Sequence, residues 1–314
     1  MRVSAIAPTR ISLFGGGTDV DPYASEFGGA VINLAINIRQ HLILYTKDDI
    51  WNPESSFNSF PNGADPNFYF NILKSYKLNG GHQTKIVSRY DGFIKSGLGS
   101  SGAAGVSLVG AINKALSLGM TRHEIAENAW KSELDFGIYT GKQDQFASVY
   151  GGLNYFSFSD KVEVVKVTPP PELTNWMVLF YTGGEKKDHN VQKGFINPDR
   201  KKLRALDTLK YITGLALPLF LTGKCKEIGE LLDLSWQYKK KSNKVTNDRI
   251  DDIYSLAKDE GAIGGKICGS GGGGYMFFMC PPEKRENLVR KMRNFKIGQV
   301  DFNIDFGGLD VRVL

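Results

Sequence analysis

The stretch SGLGSSGAAG, residues 96–105, carries the spacing G-x-G-x-x-G across Gly97, Gly99 and Gly102. A strand pattern over Thr84–Arg89 precedes it, and a helix rich in small residues, Ser101–Leu118, follows and stops at Gly119. That is the setting of a dinucleotide-binding turn, which also needs an acidic residue about 20 positions on, at the end of a second strand. Here that position, counted from Gly97, is Ser117. The first acid beyond it is Glu124, inside a helix opened by the capping box Thr121-x-x-Glu124 and running to about Phe136. The dinucleotide reading fails its context test, so NAD is not expected. No G-x-x-x-x-G-K-[ST] or G-x-S-x-G occurs either, which removes the P-loop and the usual hydrolase cue. What remains is a glycine turn feeding a helix N-terminus, whose unpaired N–H groups attract anions. Ser100 and Ser101 add hydroxyl oxygens, suited to a hard cation such as Mg²⁺. A nucleoside triphosphate with Mg²⁺ suits this loop better than NAD; a plain serine-capped turn is the alternative.

The chain has 314 residues, 41% hydrophobic and 23% charged, as expected of a globular protein of two domains. Its net charge of +6 favours anionic small molecules weakly, and no arginine–aromatic interleaving points to nucleic acid. No apolar run reaches membrane-spanning length, and the start MRVSAIAPTR lacks the apolar core of a signal peptide. Cys225, Cys268 and Cys280 are odd in number and lack C-x-x-C spacing, so a reduced, cytoplasmic, zinc-free protein is expected. The run Lys239, Lys240, Lys241 reads as a solvated helix end.

Thr168-Pro169-Pro170-Pro171-Glu172 is the clearest linker, because three prolines exclude helix and interior strand alike. It divides the chain into 1–168 and 172–314. In the first part, Val3–Ala7, Ile11–Phe14 and Ala30–Thr46 read as strands and Asn67–Leu78 as a helix. In the second part a strand at Trp176–Tyr181 precedes helices at Lys201–Leu221, Lys226–Lys240 and Arg249–Asp259. Strands at Lys266–Cys268 and Tyr275–Met279, a helix at Glu283–Asn294 and an alternating strand at Val300–Phe306 complete it. Strand, helices, two strands, helix, strand is the split βαβ order of a ferredoxin-like domain.

Three segments resemble, in order and spacing, the signature motifs of the GHMP kinases: APTRISLFGGGTD (Ala7–Asp19), GLGSSGAA (Gly97–Ala104) and KICGSGGGGYMFF (Lys266–Phe278). The resemblance spans nearly the whole chain. Within the superfamily, the first motif and the region Leu231–Phe278 are most similar to the heptose 7-phosphate kinases. It implies an α+β, two-domain fold: an N-terminal ATP-binding domain with a left-handed βαβ unit, against the usual handedness, and a ferredoxin-like C-terminal domain. It also implies ATP and Mg²⁺, with the phosphates on Gly97, Leu98, Gly99, Ser100, Ser101, Gly102 and Ala103. Gly102 stands where many relatives have Ala or Ser, a difference expected to matter little in a first helical turn.

Site roles follow from the same resemblance. Ser101 and Glu133, in KSELDFG, match the family's metal ligands, and Asp144, in GKQDQFASVYGG, its base. Arg10 takes the basic position of the first motif, where it would keep Asp144 ionised. Gly17, Thr18 and Asp19 match positions where sugar-specific members contact hydroxyls, and Gly271, Gly272 and Gly273 would let backbone approach the substrate. Read without the motifs, Glu133 is first a helix-surface acid and Asp144 a helix N-cap, while an Asx-turn is the alternative for Asp19. Lys186, Lys187, His189 and Lys193 are candidate partners of a distal phosphate, though solvated lysines are the better reading. The implied activity is phosphorylation of the anomeric hydroxyl of D-glycero-α-D-manno-heptose 7-phosphate, by a monomer or homodimer that engages neither nucleic acid nor membrane. An unphosphorylated sugar such as L-fucose, or a non-catalytic binding role, is the alternative.

Overall fold

The computed structural model describes residues 1–46, 58–78, 84–183, 198–242, 245–269 and 271–314. Strand β1 (Arg2–Phe14) runs unbroken through both segments expected as separate strands and pairs antiparallel with β2 (Gly29–Thr46) along nearly its whole length. After helix α1 (Tyr23–Phe27) and β2 come α2 (Pro66–Ser75) and β3 (Thr84–Tyr90). Then follow α3 (Ser100–Ala115), α4 (Arg122–Asp135) and α5 (Gln143–Tyr150), before β4 (Leu153–Phe158) and β5 (Val162–Val167).

The two ends of β2 have different lives. Its first half pairs with β4 and is buried on both faces; its second half pairs with β3 and alternates, with Ile38, Gln40, Leu42 and Leu44 inward. Strands β3 and β4 therefore run in the same direction on one edge of β2, joined through α3, α4 and α5. This is a β-helix-β unit with the glycine loop at its strand-to-helix turn. Helix α3 is buried from Gly102 to Ile112, and its many small residues let it pack closely on β1 and β2. The capping box opens α4 as expected, with Glu124 N–H donating to Thr121 Oγ1 at 3.2 Å and Thr121 N–H to Glu124 Oε2 at 2.8 Å.

Past the linker, α6 (Leu173–Trp176) leads into β6 (Met177–Tyr181). Helices α7 (Arg200–Leu221), α8 (Cys225–Ser242) and α9 (Asp248–Asp259) follow, then β7 (Gly264–Ile267), β8 (Tyr275–Met279), α10 (Pro282–Asn294) and β9 (Gly298–Val300). The sheet order β7-β8-β6-β9, antiparallel throughout, is that of a ferredoxin-like unit. The expected α+β architecture is present, with mixed helices and sheets in both halves.

One expectation is corrected. The alternating segment Val300–Phe306 is not a single strand of the second sheet. Only Gly298–Val300 pairs with β6; the chain then crosses over, Ile304 bridges Ile36 of β2, and β10 (Asp310–Val313) pairs with β1. Residues 303–313, assigned from sequence to the second part, lie on the first sheet. The alternation is real, but its apolar residues are shared between two sheets, a choice local periodicity does not encode. Arg39 anchors the crossing through Asp305, which is buried and bonded at 2.6 Å. The halves also share one core, in which Ile11, Phe14 and Leu34 of the first sheet pack with Leu179, Phe277 and Met279 of the second. The glycine loop lies beside that junction.

Candidate active site

The second half of β1 carries Arg10. Its backbone N–H donates to the carbonyl of Leu98 at 3.0 Å, and Nη1 donates to the carbonyl of Gly97 at 2.6 Å. Its Nε and Nη2 both reach Asp144 Oδ1, at 2.8 and 2.6 Å. One arginine therefore ties the first motif, the glycine loop and the start of α5 together, although 134 residues separate it from Asp144. The pair is largely buried, Arg10 at 5% exposure and Asp144 at 15%. Asp144 lies in the first turn of α5, where Lys142 is the N-cap, so it is not a cap itself.

Gly99, at φ +77°, is the N-cap of α3; a side chain there would stand 2.9 Å from Asp144 Oδ2. Gly97, Gly99, Ser100 and Ser101 line the cleft with Arg10 and Asp144, while Leu98 and Ala103 point into the core. Gly102 is not indifferent. A methyl group there would sit 2.8 Å from Asp144 Cβ, so this turn packs directly on the helix that carries the acid.

Glu133 comes from the last turn of α4 and is 1% exposed, which rules out a surface acid. Burial pushes its carboxyl up to about 8; Ser101 and Gln145 oppose the rise and Asp144 adds to it. Gln145 Nε2 donates to Oε2, while Oε1 is buried without a hydrogen-bond partner. A buried carboxylate with an orphaned oxygen beside a hydroxyl is a donor set that fits Mg²⁺, which takes one or two carboxylates and leaves its other positions to phosphates and water. Among the described residues no group of three His, Cys, Asp or Glu side chains gathers, so an all-protein metal cage is not present there.

Asp19 is buried and clamped. Gly17 N–H donates to Oδ1 at 3.0 Å, Gln143 Nε2 to Oδ1 at 2.9 Å, and Gln143 N–H to Oδ2 at 3.2 Å. Burial raises its pKa, with Asp144 contributing. Gly141 has to be glycine, since a Cβ there would lie 2.1 Å from Asp19 Oδ2. Thr18, by contrast, is fully buried, and its hydroxyl is engaged with Gly15 and Ala30. It closes the loop and does not face the cleft, which corrects its reading as a substrate contact.

Gly271–Gly274 all have positive φ. Gly271 packs on the backbone of Val245 and Gly274 on that of Ser96, where a Cβ would be 2.4 Å and 2.1 Å from the respective carbonyl oxygens. The run thus docks against the glycine loop, leaving Gly272 open. Lys186, Lys187, His189 and Lys193 lie outside the described residues.

Four side chains escaped the sequence reading. Gln143 and Gln145 flank Asp144 and hold Asp19 and Glu133, so three consecutive residues of α5 supply one carboxylate and hold two others. Lys239 is no solvated helix end: Nζ donates to the carbonyl of Gly269 at 3.3 Å, and burial lowers its pKa to about 8 while Asp19 pulls upward. Lys266, 2% exposed, donates to the carbonyl of Leu13 at 3.3 Å, and burial with Lys239 nearby holds it well below an ordinary lysine. A charged residue inside the otherwise uncharged strand GGKI was its one visible signal. Arg10 and Asp144 line the cleft, Lys239 bonds to Gly269 at its wall, and Asp19, Glu133 and Lys266 are buried.

Comparison with known proteins gives the family. Residues 68–152 match the GHMP kinases N-terminal domain and residues 216–297 the GHMP kinases C-terminal family. The chain is 30% identical, over 335 aligned residues covering 96% of both chains, to a D-glycero-alpha-D-manno-heptose 7-phosphate kinase of Campylobacter jejuni. It is 25% identical to an L-fucokinase/L-fucose-1-P guanylyltransferase of Bacteroides fragilis, over 91% of this chain and 35% of that longer one. Its fold matches the crystal structure of a D-glycero-D-manno-heptose 1-phosphate kinase from Bacteroides thetaiotaomicron, with a TM-score of 0.78, 24% identity and 99% coverage of each chain.

Proposed function

The chain belongs to the GHMP kinases, with a sugar kinase as its similar relative, and we propose that it transfers the γ-phosphate of ATP to the anomeric hydroxyl of D-glycero-α-D-manno-heptose 7-phosphate, giving the 1,7-bisphosphate. The observation that carries the reading is the Arg10–Asp144 pair held against the carbonyl of Gly97. Arg10 occupies Oδ1 of Asp144 twice, which orients the carboxylate. Oδ2, beside Gly99, is left to take the proton of the acceptor hydroxyl as its oxygen attacks the γ-phosphorus and ADP departs. The glycine loop, open at Gly97, Gly99, Ser100 and Ser101, cradles the phosphates with backbone N–H groups at the start of α3. Gly271–Gly273 close the cleft from the second half. Asp19, fixed by Gln143 and Gly17, accepts sugar hydroxyls. Mg²⁺, when bound by Ser101 and Glu133, would neutralise phosphate charge.

A second reading has its own support in the fucokinase relative: anomeric phosphorylation of an unphosphorylated sugar. ADP release measured across a panel of heptose 7-phosphate, L-fucose and common hexoses separates the two. Phosphorus NMR of the product should show a glycosyl phosphate coupled to the anomeric proton. Phosphate on another carbon would overturn the regiochemistry, and no ADP release with any sugar would overturn the kinase reading.

A further inference from the structure

Gly16 lies between the end of β1 and Asp19. A methyl group on it would stand 2.9 Å from Ser12 Oγ, 3.6 Å from Gln143 Nε2 and 4.0 Å from Lys239 Nζ. Polar side chains from β1, α5 and α8 therefore converge on a residue that has no side chain of its own. Two of their atoms, Ser12 Oγ and Gln143 Oε1, are buried without a hydrogen-bond partner. The amide of Gln143 has no freedom to exchange its ends, because the atom facing the Asp19 carboxylate must be the donor. Oε1 is then an acceptor turned away from Asp19. Buried polar atoms left unsatisfied cost stability, and a native fold keeps them where a ligand or water completes them. Lys239 rests on the carbonyl of Gly269, which lines the cleft together with Arg10 and Asp144.

The mixture of donors and acceptors identifies the ligand chemistry. A phosphate would want donors only, and the Asp19 carboxylate and Gln143 Oε1 would repel it. A pair of neighbouring hydroxyls donates and accepts in turn, which matches acceptors on Asp19 and Gln143, a donor on Lys239 and a hydroxyl on Ser12. We infer that Lys239, Gln143 and Ser12, grouped around Gly16, are specificity-determining contacts that read vicinal hydroxyls of the acceptor sugar alongside Asp19. This rests on the sugar-kinase reading above and extends it to residues that none of the signature motifs assigns to the acceptor. Asp19 next to Lys239 also opposes the effect of burial on that ammonium, so the donor is retained near neutral pH.

The test pairs protein variants with singly deoxygenated acceptors. In the unaltered enzyme, heptose 7-phosphate lacking one ring hydroxyl should lose about 10²-fold or more in kcat/KM at the positions read here, since a site built for a hydroxyl is left unpaired without it. In Lys239→Met, and separately in Gln143→Leu, the penalty at one of those positions should fall below tenfold, because its partner is already gone. Penalties elsewhere on the sugar and KM for ATP should hold. Lys239→Arg keeps a donor and should preserve the penalty, which covers the case of a poorly folded methionine variant. Unchanged penalties at every position in both variants would overturn the inference. Should the unaltered enzyme not turn over heptose 7-phosphate, that failure belongs to the proposed substrate; the same series with the sugar selected by ADP release then decides on Lys239 and Gln143.

Discussion

Glu133→Gln should make the free protein more stable and the enzyme worse, and the stability gain should depend on pH in a defined way. The native carboxyl is pushed from 4.5 to about 8, chiefly by burial. Between those values the folded chain holds a proton that the unfolded chain has released, so stability falls as pH rises through the window and levels off above it. At about 1.4 kcal/mol for each tenfold in proton affinity, full ionisation costs about 5 kcal/mol, of which about 3 kcal/mol is already present at pH 7. Glutamine keeps the shape and cannot ionise. The variant's Tm should therefore exceed that of the parent by a margin that is small at pH 5 and widens by several degrees towards pH 9. Activity should move the other way, because an amide oxygen is a poorer ligand for a hard cation than a carboxylate. The apparent Mg²⁺ requirement should rise, and high Mg²⁺ should relieve the defect in part. Thermal melts from pH 5 to 9.5, with kinetics over a Mg²⁺ series, read both. A Tm difference that stays constant across pH would refute burial as the origin of the shift. A defect that extra Mg²⁺ leaves untouched would refute Glu133 as a ligand.

Asp144→Asn should lower kcat by about 10²–10⁴, the usual size of a lost general base, leave ATP binding in place and gain nothing from added Mg²⁺; steady-state kinetics with calorimetric titration of ATP check it. Gly102→Ala should lower turnover about tenfold or more, because its methyl displaces the helix that bears Asp144, and sub-ångström errors in reacting geometry are costly. Gly105→Ala, whose methyl would meet Ala129 and Phe68 at an ordinary 3.5 Å, should be neutral or stabilise α3, so equal effects from the two would refute the packing argument. Asp305→Ala should lower Tm through the loss of about 3 kcal/mol or more, since it strips Arg39 and the N–H groups of Gly307 and Gly308 of a buried acceptor. A near-parental melt would show that the crossing segment is held by other contacts.

Much of this molecule was legible in one dimension. The capping box, the proline linker, the helices of the second half and its strand order are local signals, each decided by a few adjacent residues. The glycine loop, Glu133 and Asp144 were legible through motif resemblance; the structure puts Gly97, Gly99, Ser100, Ser101 and Asp144 on one cleft and buries Glu133. Other features resisted for a physical reason. β4 and β5 are short strands closed by a turn at residues 159–161, and nothing local marks which edge of β2 receives β4, with β5 beyond it. The alternation over Val300–Phe306 says that one face is apolar, and says nothing about which sheet receives it. Lys239 sits in a run of three lysines, which by composition belongs in water; only the packing of α8 against the Gly16–Asp19 loop and Gly269 takes its ammonium into the cleft. Gln143 and Gln145 look like neutral filler until folding brings Asp19, 124 residues away, and Glu133, 12 residues away, to their amides. Backbone propensity and capping act over a few residues and can be read from the chain. Burial, charge pairing and the satisfaction of polar atoms depend on which distant segments meet, and only the tertiary structure decides that.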